Sequence, residues 1–157
     1  MKLNFLFFLA TLLFLFSCTP DTPEESVKET NPLAGSYVIK SVILKNCNTS
    51  SNNLVANFST NNDCVSNIEF EHCRVGKLII SEDNTFTSTL RVTRKSLLLN
   101  LTVGLYSING QGKATAASNI MNICIGNNCD DFVIDGNTFT HTYESLDCTN
   151  VIVLEKE

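Results

Sequence analysis

Residues 78–93 read LIISEDNTFTSTLRVT, and the alternation within this stretch decides the fold class. Between positions 85 and 93, Phe86, Ser88, Leu90 and Val92 fall on one side, opposite Thr87, Thr89 and Arg91. A β-strand sends successive side chains to opposite faces, so this period of two describes a strand with one dry face and one wet face. The preceding SEDNT (81–85) supplies Asp and Asn, which tolerate the left-handed backbone of tight turns. A second apolar run at 77–81 leads into that turn, so the stretch reads as a strand, a turn and a strand.

Working outward, the texture repeats. SYVIKSVILK (36–45) is β-branched and aromatic, with Tyr37, Ile39, Ser41 and Ile43 expected on one face. Segment 46–63 is rich in Asn and Ser and reads as a long loop with a short apolar patch at 54–58. A strand is expected at 67–71 with Ile68 and Phe70, and another at 97–108 with Gly104 as a bend or bulge. NGQG (109–112) predicts a tight hairpin turn. Strands are expected at 113–118 and 120–125, the latter short enough to be confused with a helical turn. The segment at 132–134, DGNT (135–138) and 139–143 reads as a further hairpin, and NVIVLEK (150–156) as a last strand. No amphipathic helix of ten residues emerges. The pattern is all-β, an antiparallel up-and-down meander of about eight to ten strands that suggests a barrel, with a β-sandwich as the alternative.

The N-terminus is a different object. MKLNFLFFLATLLFLFSC carries Lys2 and an apolar run at 5–16 that is too short for a hydrocarbon core needing about 20 helical residues. A basic start, a short apolar run and a small residue at the end describe an export signal. Leu15-Phe16-Ser17-Cys18 resembles the lipobox of bacterial lipoproteins, which implies cleavage before Cys18 and diacylglycerol on its thiol, with palmitate among the acyl chains. An ordinary secretory leader or an uncleaved anchor are the alternatives. The domains are therefore 1–17 signal peptide, 18–32 tether and 33–157 β domain. TPDTPEESVKETNP (19–32) is Pro-rich and acidic without apolar periodicity, a solvated tether. Its acids at Asp21, Glu24 and Glu25 resemble a surface-export signal of Bacteroidetes-type lipoproteins, or form only an acidic linker. The expected location is the bacterial envelope, lipid-anchored to the outer membrane on its periplasmic side or at the cell surface.

The formal charge of −5 becomes −6 once Lys2 is lost. With no basic patch, nothing draws a nucleic acid or an anionic surface. About 140 residues remain, enough for one domain. Seven cysteines become an even set when Cys18 is set aside: Cys47, Cys64, Cys73, Cys124, Cys129 and Cys148. That arithmetic fits three disulfides in an oxidising compartment, and sequence alone leaves 15 pairings open. A zinc site would have to use Cys64, His72 and Cys73, or the 124–129 loop, and neither has the close CxxC-type spacing of common structural sites. No metal and no cofactor are expected.

The order of signals resembles the lipocalin-like lipoproteins of Bacteroidetes. The resemblance rests on LAGSY (33–37), LIISEDNTFT (78–87), FVIDGNTF (132–139) and CTNVIVLEK (148–156), and covers nearly all of 33–156. Tyr37 stands where that family's opening has Trp. The resemblance implies an eight-stranded barrel whose first and last strands are antiparallel neighbours. In such a barrel Cys47 and Cys148 meet at one end of the seam, leaving Cys64–Cys73 and Cys124–Cys129 as local staples.

Catalytic patterns are sparse. No GxSxG, HExxH or phosphate-cradling glycine loop is present, and an enzyme is not expected. His72, beside Cys73, reads as a surface residue. His141 shares its strand face with Phe139 and Tyr143; it faces either a cavity or solvent. The inward candidates for a ligand cavity are Tyr37, Ile39, Phe86, Leu90, Phe139, His141 and Tyr143, and the same residues would fill a solid core. Two functions follow as expectations: a carrier of a small apolar ligand, or a disulfide-stapled module that binds a protein or glycan, or inhibits an enzyme, through loops such as 46–63. The oligomeric state is not encoded in any pattern.

Overall fold

The computed structural model describes residues 30–50, 53–59, 63–145 and 147–157. The expected signal peptide and cleavage site, Cys18 and the expected tether up to residue 29 lie outside the described residues. Eleven strands follow one another: β1 (Gly35–Lys45), β2 (Leu54–Asn57), β3 (Cys64–Ser66), β4 (Phe70–Val75), β5 (Leu78–Ile80), β6 (Thr85–Ser96), β7 (Thr102–Ala117), β8 (Ile120–Ile125), β9 (Asn128–Asp135), β10 (Thr138–Ser145) and β11 (Cys148–Lys156).

Eight of them close a ring. From β5 to β11 each strand pairs with the next, β11 pairs with β1, and β1 returns to β5, all antiparallel. The first and last strands of the domain form the seam over eight registered pairs from Tyr37↔Lys156 to Lys45↔Thr149. Every strand of the ring and the three disulfides lie within residues 30–157, so the domain folds on what these residues contain. Closure leaves no free edge in the ring, which removes the usual hazard of edge-to-edge association.

The remaining strands fill a fork. β1 pairs with β5 only across residues 35–37, then the two part. β2 continues the sheet from β1, while β4 lies on β6 above β5 and β3 lies on β4. Arg74 occupies the fork: Nη1 donates to the Ile39 carbonyl, Nη2 to the Ser59 carbonyl at 2.7 Å, and Nε to Asp63 Oδ1 at 3.0 Å.

The alternation of 85–93 is realised strand-wide. Phe86, Ser88, Leu90 and Val92 are buried, while Thr85, Thr87, Thr89 and Arg91 face solvent. The apolar face therefore turns inward, the reverse of a membrane-spanning barrel with an apolar outside. The inner set includes Tyr37, Ile39, Val42, Leu78, Phe86, Leu90, Met121, Phe132, Phe139, Ile152 and Leu154.

Several sequence expectations are corrected. NGQG (109–112) is not a turn: β7 runs through it for 16 residues, and the chain reverses at Ser118-Asn119 instead. Gly112 serves a close approach, because a Cβ there would strike the backbone carbonyl of Cys124 on β8. Segment 46–63 is not all loop, since β2 forms within it on the edge of β1 and β3 begins at its end. The strand expected at 67–71 starts at Phe70; Asn67 Oδ1 instead accepts from the amides of Glu69 and Phe70 and turns the chain. In β1 a register shift between Ile39 and Ser41 moves the inward set from Ile43 to Val42 and Leu44. Gly104 does sit at a bulge, opposite Thr93.

Candidate functional site

The two ends of the barrel differ. At one end lie the turns at 81–84, 118–119 and 136–137, where the chain enters and leaves the ring. Leu33 is buried there, the Tyr37 hydroxyl donates to its carbonyl, and Lys156 Nζ donates to the Pro32 carbonyl at 2.9 Å. Asn31 is tied to the 81–84 turn through its amide to Glu82 and its side chain to the Ser81 carbonyl, both at 2.9 Å. Tyr37 packs edge-to-face on Phe139 with ring centroids 4.9 Å apart. This end is sealed.

Toward the other end the interior becomes polar and aromatic. β10 turns Phe139, His141 and Tyr143 inward, β9 turns Asp130 and Phe132, and β7 turns Tyr106 and Ile108. Their rings assemble: His141 lies 5.1 Å from Phe132, 5.3 Å from Tyr143 and 5.6 Å from Tyr106. The Tyr106 hydroxyl donates to Asp130 Oδ2 at 2.9 Å. Tyr143 donates its hydroxyl to the Leu105 carbonyl, at the bulge in β7. His141 Nδ1 lies 2.9 Å from the Asp131 carbonyl, which can only accept, so Nδ1 carries the proton. That leaves Nε2 turned toward Asp130 Oδ1, 3.9 Å away.

The electrostatics follow from this packing. Burial, reinforced by the charge and hydrogen bond of Asp130, holds the Tyr106 phenol far above its ordinary range. Burial, with the same carboxylate adding to it, pushes Tyr143 up to about 12. Both phenols stay neutral, so the cluster presents one carboxylate among hydroxyl and imidazole groups.

This cluster adjoins a break in the wall. The last registered pair of β7 and β8 is Lys113↔Cys124; beyond it the strands diverge. The opening, about 240 Å³, is lined by Ser107, Ile108, Ile123, Ile125, Asn128 and Asp130. The Cys124–Cys129 disulfide braces the β8–β9 hairpin at its rim. Apolar walls with one partly exposed carboxylate among them suit a small amphiphile that carries a donor or cationic group.

All seven cavity candidates face the interior, but they divide. Tyr37, Ile39, Phe86, Leu90 and Phe139 are packed in the core cluster, whereas His141 and Tyr143 belong to the polar end. Tyr106 and Asp130 escaped the sequence reading. Tyr106 fell within the strand expected at 97–108 without being assigned to an inner face, and Asp130 was hidden by its place in a Cys-Asp-Asp run. The readable signal was Asp130 at period two from Phe132 and Ile134.

The disulfides are Cys47–Cys148, Cys64–Cys73 and Cys124–Cys129. Among the described residues one group, Cys64, Glu71 and Cys73, has metal-ligand spacing, and its two sulfurs are bonded to each other. His72 is not a surface residue. It is 2% exposed beneath a recess between β2 and β3, with Nε2 lacking a hydrogen-bond partner. Burial, and secondarily the positive charge of Arg94, lowers its pKa to about 4, so it is neutral.

No protein-family model matches the chain, no curated protein matches it, and no solved structure matches it.

Proposed function

We propose that this chain is a non-enzymatic envelope lipoprotein, cleaved before Cys18, acylated on that residue and held at the outer membrane, whose lipocalin-like barrel binds a small amphiphile. The observation that carries the ligand reading is the Tyr106–Asp130–His141–Tyr143 cluster set inside the ring beside the β7–β8 opening. Asp130 stands on the inner face of β9 with its side chain 40% exposed at the opening, which puts a charged group where a ligand can reach it. One oxygen accepts from Tyr106, and the other lies 3.9 Å from His141 Nε2, too far for a hydrogen bond, so it can still take a donor from a ligand. An apolar tail along Ile108, Ile123 and Ile125 with a donor head on Asp130 satisfies both parts. The anchoring half of the reading rests on residues 1–18 alone.

Native mass spectrometry of protein taken from its own membranes in mild detergent tests both halves. The expected spectrum shows N-terminal lipid on Cys18 and a recurring second mass that Asp130→Ala removes. A bare acylated polypeptide in repeated preparations refutes the carrier and favours the alternative, an interaction module acting through 46–63. An unacylated chain refutes the anchor.

A further inference from the structure

At the open end of the barrel two adjoining turns push aliphatic side chains into solvent. The β6–β7 connection reads SLLLNL (96–101), and the turn before β4 carries Ile68. Ile68 is 97% exposed, Leu98 89%, Leu99 66% and Leu101 62%. Both turns are built, not loose. Ser96 N donates to the Leu101 carbonyl at 2.8 Å, Leu99 N to Ser96 Oγ at 3.2 Å, and Asn100 takes a positive φ of 53°. Leu97 N donates to the Glu69 carbonyl at 2.9 Å, which ties the two turns side by side. A firmly shaped turn that displays a contiguous run of leucines marks an interaction site.

We infer that this tip inserts into the hydrocarbon boundary of a lipid bilayer. The side chains displayed are aliphatic and stand on convex turns; they lack the aromatic and arginine anchors that centre most protein interfaces. Behind them the strand ends carry charges of both signs (Glu69, Arg94 and Lys95), a polar rim suited to a headgroup layer. The chain upstream brings a membrane within reach, an argument that rests on the proposed acylation. Because Asn31 is tied to the sealed end, the free tether is the 13 residues from Cys18 to Asn31, which extend to about 43 Å, and β1, with 11 residues, measures about 36 Å. The tether can therefore run the height of the barrel and lay the leucine tip on the same membrane. The β7–β8 opening stands at this end, so the tip would set it beside the bilayer from which an amphiphile comes.

The chain contains no tryptophan, so Leu98→Trp introduces a single indole, excited selectively over the three tyrosines, into the domain 30–157, which lacks leader and Cys18. Neutral phosphatidylcholine/phosphatidylethanolamine vesicles are the probe. The expected result is blue-shifted emission, quenched by lipids brominated in the upper acyl chain, with no quenching for Val133→Trp near the sealed end. The unmodified domain floats with the vesicles, and Leu98→Asp with Leu99→Asp lowers its partitioning by roughly tenfold or more. An unmodified domain that does not float overturns the inference. So does a concentration-dependent dimer that Leu98→Asp abolishes without any vesicle association, which would make a second copy the occupant. Because Cys18 is missing from this domain, a failure of acylation and a failure of the tip are read separately.

Discussion

Breaking the seam disulfide should cost more than breaking either of the others. Cys47 and Cys148 are 101 residues apart in sequence, against 9 for Cys64–Cys73 and 5 for Cys124–Cys129. In the chain-entropy model the lost constraint on the unfolded chain is worth about 4.7 kcal/mol for the seam and about 2–2.6 kcal/mol for each short loop. For a domain of roughly 130 residues, 4.7 kcal/mol corresponds to a fall in Tm of about 15 °C or more, and 2 kcal/mol to about 7 °C. The double variants Cys47→Ala/Cys148→Ala and Cys124→Ala/Cys129→Ala, melted side by side and titrated with urea, give the comparison. Alanine is the better replacement because Cys148 is buried and a serine would place an extra hydroxyl there. The unfolding slope in urea should steepen for the seam variant, whose unfolded chain is freer to expand. Equal losses for the two pairs would refute the reasoning, since loop length would then not be what the seam bond supplies.

Three further outcomes are expected. His72 is held neutral with a pKa near 4 against 6.5 unfolded, so between those values the unfolded chain takes up a proton that the fold refuses. Stability should then fall as pH drops from 6.5 to 4, by up to about 3 kcal/mol; urea midpoints across that window check it, and a His72→Leu variant with the same slope would sink it. Gly112→Ala drives a Cβ into the Cys124 carbonyl and should destabilise the domain by roughly 1–3 kcal/mol, whereas Gly104→Ala, with open space around it, should cost under about 1 kcal/mol. Tyr106→Phe removes the donor to Asp130 and should weaken retention of the co-purified ligand roughly tenfold with Tm changed by only a few degrees; unchanged retention in native mass spectra would take the cluster out of the site.

Period-two alternation made the barrel legible, because burial on one face of a strand is written directly in side-chain polarity. Residues 85–93 carried that information without interference. The signals that misled were local ones overruled by tertiary packing. NGQG has turn chemistry, yet β7 pairs with β6 along almost its whole length, and Gly112 is small because Cys124 passes against it. The bulge in β1 flipped the inward set after Ile39, a one-residue slip that composition does not reveal. For the site, His141 and Tyr143 were readable because Phe139 fixed their face. Asp130 was not, since a carboxylate in a strand is ordinarily taken for the wet side. His72 failed for the same reason: its neighbours Glu71 and Cys73 gave no alternation from which to infer burial.

The β1–β11 seam also governs how the domain can form. Strands joined at the seam come from opposite ends of the sequence, and the last nine residues of β11 complete the ring. Contact order is therefore high at the one pairing that creates closure, which makes folding slow relative to helical proteins of this size. A nascent or partly threaded chain holds hairpins from β6 to β10 but no cylinder, with β1 and β10 offering unpaired flanks until β11 arrives. During that interval the unfinished sheet is open to association, so the period before release is when the chain most needs a holdase.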